Sequence, residues 1–208
     1  MIAPQTQVDS LQSETLGLLV DIGNTSLKWA CWDGSRLGEM QSARHEGALP
    51  LDVLAAWDAL EGVQSLTYCS VGPDSVVETM VRVARARWHL DERLPAGPGV
   101  VATEHPGRVA DGGGQSSAPI RKIRCHREAF GVRIAYADPT RLGVDRFLAL
   151  VGAHSLCAGP ALVVDAGTAV TLDLLRDHGQ HLGGLIVPGM RMMRDSLLTG
   201  TLIPRYEP

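Results

Sequence analysis

The sequence is short of aromatic residues, lysine, net positive charge and long apolar runs, and each shortage removes a class of function. Aromatics make up 4% of the 208 residues, too few for a platform on which single-stranded bases stack. The formal net charge of −4 gives no general attraction to nucleic acid or to an anionic membrane. Lys28 and Lys122 are the only lysines among 19 basic residues, so a lysine inside a motif stands out. The apolar run from Phe147 to Ala153 falls well short of the ~18 residues that a membrane span needs. Four cysteines, Cys31, Cys69, Cys125 and Cys157, lie far apart with no C-x-x-C pair. That spacing argues against zinc and thioredoxin-like sites and for scattered thiols in a reducing compartment. Residues 1–14 hold no Lys, no Arg and no apolar stretch, and read as a loose polar leader, not a secretory signal. A soluble, cytoplasmic protein is expected.

What is present is an ordinary globular composition, 45% hydrophobic and 20% charged, enough for one large domain or two small ones sharing a cleft. The apolar run Leu16 to Val20 reads as a buried strand, followed by the turn formers Asp21-Ile22-Gly23-Asn24-Thr25-Ser26 and a second strand from Leu27 to Trp32. Asp33-Gly34 signals another hairpin turn. Helical spacing follows at 51–60, a strand at 65–71, and a helix from the capping run Gly72-Pro73-Asp74-Ser75 to about Trp88, with Val76, Val77, Met80, Val81 and Ala84 as its apolar stripe. Residues 91–126 are rich in Gly and Pro and read as a long loop or insertion. The basic run Arg121, Lys122, Arg124, His126 and Arg127 at its end reads first as a solvated flank. Beyond it the pattern predicts a strand at 132–136, a helix at 141–156, strands at 161–164, 170–175 and 181–187, and a last helix at 190–198.

One pattern occurs twice. Leu18-Leu19-Val20-Asp21-Ile22-Gly23-Asn24-Thr25 and Leu162-Val163-Val164-Asp165-Ala166-Gly167-Thr168-Ala169 are both apolar strands ending in Asp, then one residue, Gly and a small polar residue; the two aspartates are 144 residues apart. Repetition at that distance implies duplicated domains, not a solenoid. Glycine lets backbone N–H groups approach an anion closely. An aspartate beside such a turn cannot bind phosphate itself, but it can hold a cation that does. Two such hairpins facing each other would clamp a polyphosphate. Neither G-x-x-x-x-G-K-[ST] nor a strand-linked G-x-G-x-x-G occurs, which removes the P-loop and Rossmann alternatives.

Four blocks in this order carry a resemblance: Asp21 to Lys28; Tyr136-x-Asp138-Pro139 leading to Gly143-Val144-Asp145-Arg146; Asp165 to Ala169 with Asp173; and Gly183-Gly184-Leu185-Ile186-Val187-Pro188-Gly189. The chain resembles the acetate and sugar kinase, Hsp70 and actin superfamily, and within it the type III pantothenate kinases and their Bvg accessory factor relatives. That resemblance implies an α/β fold of duplicated ribonuclease H-like domains with a cleft between them. The first lobe would span 15–136, with the Gly/Pro-rich insertion inside it, and the second 137–208. It implies ATP-dependent phosphorylation of pantothenate, the first step of coenzyme A synthesis. The ATP site would be Asp21, Ile22, Gly23, Asn24, Thr25, Ser26, Leu27, Lys28 and Thr168, with Asp21 in the magnesium shell. Tyr136, Gly143, Val144, Asp145 and Arg146 would line the pantothenate pocket, Asp145 as the base and Arg146 as partner of a carboxylate or of the transferring phosphate. Asp165 would hold a monovalent cation, potassium or ammonium.

The resemblance further implies a homodimer and a chain that continues past Pro208, including a Gly-x-x-Thr block. The second lobe is therefore expected to be incomplete, with an apolar face left open around Leu197, Leu198, Leu202 and Ile203. As it stands the chain is expected to be prone to aggregate and nearly inactive. The alternatives are a non-catalytic relative acting as a transcriptional accessory factor, and another small-molecule kinase on the same scaffold. No membrane or nucleic-acid partner is expected.

Overall fold

A computed structural model describes residues 16–92, 119–202 and 204. The polar leader and residues 93–118 of the Gly/Pro-rich stretch lie outside the described residues.

The first half is built on strands β1 (Leu16–Ile22), β2 (Ser26–Trp32), β3 (Gln41–Arg44), β4 (Val63–Ser70), β5 (Asp91–Glu92) and β6 (Pro119–Lys122), with helices α1 (Leu51–Asp58) and α2 (Asp74–Trp88). They form one open mixed sheet in the order β3-β2-β1-β4-β6-β5. β1 is antiparallel to β2 and parallel to β4. The alternation expected of a half-buried strand is evident in β1, where Leu18, Val20 and Ile22 face the core and Asp21 lies on the other side. The whole predicted stripe of α2 is buried, in a core shared with Leu27, Leu66 and Trp57 of α1.

Part of the stretch read as loop is sheet. β6 pairs in parallel with β4, placing Ile120 beside Leu66. Four residues give too little periodicity to announce a strand, and Pro119 stands at its first position, where a missing N–H is tolerated. The basic run thus begins on a strand, and the Lys122 amine stands 6.0 Å from the centre of the Tyr68 ring.

The second half holds the short hairpin β7 (Glu128–Ala129) and β8 (Val132–Arg133), then α3 (Val144–Leu156), β9 (Ala161–Ala166), β10 (Ala169–Leu175), β11 (His181–Pro188) and α4 (Met190–Gly200). β10 is the centre of an antiparallel three-stranded sheet. A second core gathers Val132, Ile134, Leu142, Phe147, Leu150 and Leu175, so Val132 and Ile134 pack with the second half of the chain. α3 begins three residues later than its periodicity predicts. The Asp138 carboxylate accepts hydrogen bonds from the Thr140 amide and hydroxyl, which folds 139–141 into a separate 3₁₀ turn before Gly143 opens the helix. The sheet and α4 leave Leu162, Val164, Leu185, Ile186, Met190 and Leu197 exposed. Among the described residues no helix is long and apolar enough to cross a membrane.

Candidate active site

The β1–β2 turn is closed by the Gly23 amide donating to the Ser26 carbonyl at 2.9 Å. Ile22 and Leu27 are fully buried, so they can serve a ligand only through their backbone. Asn24 and Lys28 are exposed, and Thr25 and Ser26 half-buried. Asp21, Lys28 and Cys69 share one register row across β2, β1 and β4. In that row the Cys69 thiol donates to Asp21 Oδ1 at 3.2 Å.

The β9–β10 turn is one residue shorter, the Gly167 amide donating to the Ala169 carbonyl at 2.9 Å. Asp165 and Thr168 are exposed beside it. The two turns meet: Thr25 Oγ1 and Thr168 Oγ1 are hydrogen-bonded at 3.0 Å. The second turn also carries the start of α4, since the Gly189 amide donates to the Thr168 carbonyl at 3.0 Å. A Cβ on Gly189 would strike the carbonyls of Gly167 and Thr168, so only glycine allows this approach.

Asp145 lies in the first turn of α3, half-buried, its Oδ1 accepting the Arg146 amide at 2.8 Å. Its charge is felt by two thiols. Burial first, then Asp21 and Asp145, pushes Cys69 well above its ordinary range, and burial followed by Asp145 pushes Cys125 up to about 11. The geometry agrees: Gly143 at the start of α3 lies against Val71, whose amide donates to the Ile22 carbonyl beside the first turn at 2.9 Å, which brings that turn and α3 into one neighbourhood. Because the unfolded chain would ionise these thiols first, their contribution to stability is fully present below about pH 9 and declines as pH rises towards the folded values. A labelling result follows: at pH 8, iodoacetamide should modify exposed Cys157 well before Cys125 and Cys69, as read by peptide mass spectrometry. Equal labelling of Cys69 and Cys157 would contradict this placement.

The next residue, expected as the partner of a carboxylate or of the transferring phosphate, has partners within the protein. Arg146 is buried, its Nε and Nη2 donating to the two oxygens of Asp173 at 2.7 and 2.6 Å. This hydrogen bond, more than the opposing burial, raises the guanidinium pKa, with Tyr136 adding a smaller push. His181, fully buried, completes the cluster. Its Nδ1 accepts from the Ala135 amide at 3.3 Å, which leaves Nε2–H to donate to Asp173 at 2.9 Å. Tyr136 packs edge-on against the His181 ring with centroids 5.8 Å apart. A Cβ on Gly184 would collide with Asp173 and Arg146, so the β11 glycine makes room for the pair. Val144 is buried in the core.

Sequence reasoning did not find His45, Cys69 or His181. His45, just past β3, is 5% exposed. It reaches back to the first turn through its ring and its amide, donating to the carbonyls of Gly23 and Thr25, each at 2.9 Å. No local pattern announces it, because both contacts are non-local. His181 precedes the Gly183-Gly184 block, a signal that could have marked it.

The family model for type III pantothenate kinase matches residues 115–205. A type III pantothenate kinase of Dichelobacter nodosus is 30% identical over 195 residues, covering 92% of this chain and 68% of the relative. One from Xanthomonas campestris pv. campestris is 36% identical over 179 residues, covering 86% and 60%. The chain thus spans about two thirds or less of the curated relatives it matches. A solved chain of Campylobacter jejuni, named for the Baf family of transcriptional activators, matches at 18% identity with a TM-score of 0.43 over 89% of this chain and 61% of its own, too loose a likeness to bear on function.

Proposed function

Because the chain belongs to the type III pantothenate kinase family, we propose that it transfers the γ-phosphoryl group of ATP to the primary hydroxyl of pantothenate, giving ADP and 4'-phosphopantothenate. The observation that carries this reading is the contact of the two turns through Thr25 and Thr168, with the start of α3, which holds Asp145, against Val71 just past β4. On this reading two ribonuclease H-like lobes face each other across the nucleotide, the second beginning before the β7–β8 hairpin whose Val132 joins its core, and the protein pairs as a homodimer.

The ATP phosphates lie between the turns, against the backbone from Asp21 to Leu27, the side chains of Asn24, Thr25 and Ser26, and Thr168. Exposed Lys28 supplies fixed positive charge on the Asp21 side. Among the described residues no cluster of three or more His, Cys, Asp or Glu is gathered for a metal ion. Single carboxylates fit cations that take most of their ligands from phosphate oxygens and water, with Asp21 on the magnesium side and Asp165 on a monovalent cation, potassium or ammonium. Such ions, when bound, offset the charge of the phosphates.

Pantothenate lies beside Tyr136, Gly143 and the start of α3. A primary alcohol ionises far above neutral pH, so Asp145 orients the hydroxyl and accepts its proton late, as the new O–P bond forms and the bond to ADP breaks. Arg146, its charge offset by Asp173, ties the start of α3 to β10 and so positions Asp145, and Val144 contributes backbone alone.

Asp165→Ala is expected to weaken MgATP binding about tenfold and to abolish dependence of turnover on potassium. Turnover of the native chain that is equal in potassium and in tetramethylammonium would remove the cation role.

A further inference from the structure

An anion-binding turn works by presenting N–H groups and turning its carbonyls away, since a carbonyl oxygen repels a phosphate oxygen. In the β1–β2 turn a single residue withdraws two carbonyls. The His45 ring nitrogen Nε2 is 2.9 Å from the Gly23 carbonyl, and the His45 amide donates to the Thr25 carbonyl at 2.9 Å. A carbonyl can only accept, so the ring must carry its proton on Nε2. The other side of the ring agrees: Nδ1 accepts from the Gly47 amide at 3.4 Å. That loop is itself pinned, because Ser75 in the first turn of α2 donates its hydroxyl to the Gly47 carbonyl at 2.6 Å. Ser75 therefore holds the loop of His45 and makes no cap of its own on α2, whose N-terminus has no side-chain cap.

The rest of the turn is consistent with this arrangement. The Gly23 amide is spent on Ser26. Among the described residues the amides of Asn24 and Thr25 have no hydrogen-bond acceptor in the protein. The Gly23 carbonyl also lies against Gly72, where any Cβ would overlap it, so it is confined on two sides.

We infer that His45 is a positioning residue for the phosphate groups of the nucleotide. By holding the Gly23 and Thr25 carbonyls back, it leaves the Asn24 and Thr25 amides directed at the anion. His45 touches no phosphate. Without the ring, the Gly23–Asn24 peptide, with glycine on one side, loses the hydrogen bond that holds its oxygen away from the site. The inference rests on the proposed reading of this turn as a phosphate site.

The test is calorimetric titration of the 208-residue chain with MgATP and with inorganic tripolyphosphate, alongside the thermal midpoint of each variant. His45→Gln places an amide N–H where Nε2 stands, and His45→Asn places it where Nδ1 stands, out of reach of Gly23. His45→Ala and His45→Asn are expected to weaken both ligands at least about tenfold, and His45→Gln by no more than about threefold. A purely structural role would lower the midpoint in all variants without separating Gln from Asn in affinity, and that result overturns the inference. So does tripolyphosphate binding by His45→Asn within about twofold of native, although the phosphate site itself would then stand. If the native chain binds neither ligand, the reading of the turn and the role of His45 fall together.

Discussion

Asp145→Asn is expected to lower pantothenate-dependent turnover by about 10²–10⁴-fold, the range for loss of a positioned general base, while MgATP binds as in the native chain. The substitution keeps the side chain's size and its ability to accept the Arg146 amide, which Asp145 Oδ1 does at 2.8 Å. It removes only the charge and the capacity to take up a proton. Asp145 belongs to neither phosphate turn, so nucleotide affinity should not follow turnover downwards. It does lie close enough to Cys69 and Cys125 to raise both thiols. The variant should therefore also make Cys125 ionise at lower pH, a readout independent of activity. Turnover within about tenfold of native, some 1.4 kcal/mol of barrier, would remove Asp145 as the base.

Asp173→Ala is expected to cost about 3–5 kcal/mol of stability. Asp173 is 2% exposed and is the acceptor for Arg146 and for His181. Its loss leaves a guanidinium and an imidazole N–H buried without their partner. The cost lies in the orphaned charge, not in the net worth of the pair. Hence Asp173→Leu combined with Arg146→Met should recover the part of the stability that belongs to the guanidinium, while the His181 N–H stays without its acceptor. Denaturant unfolding measures this. A loss under about 1 kcal/mol for Asp173→Ala would show that the cluster is solvated in a way this structure does not show.

The parts of the molecule that were legible in the sequence are those set by neighbours in the chain. Asp21 to Ser26 and Asp165 to Thr168 announced their turns because glycine and short polar side chains make turns locally, and the α2 stripe announced a helix through its spacing. The parts that were not legible depend on pairing at a distance. β6 is a strand only because β4 offers it an edge. The pairing of Arg146 with Asp173 carried no signal, because Arg146 is on α3 and Asp173 on β10. His45 carried no signal, since its role exists only once β3 returns the chain to the first turn. The duplicated Asp-x-Gly pattern suggested two facing hairpins; their contact at Thr25 and Thr168 depends on how the two halves pack.

The most direct measurement is ADP release on adding pantothenate to the protein with MgATP and potassium, made on the 208-residue chain and on a form extended past Pro208, with 4'-phosphopantothenate quantified in parallel. The predicted result is ADP and 4'-phosphopantothenate in equal amounts from the extended form, dependent on pantothenate and abolished by Asp145→Asn, with far less from the 208-residue chain. ADP release by neither form, or release that proceeds equally without pantothenate, would contradict the proposed function.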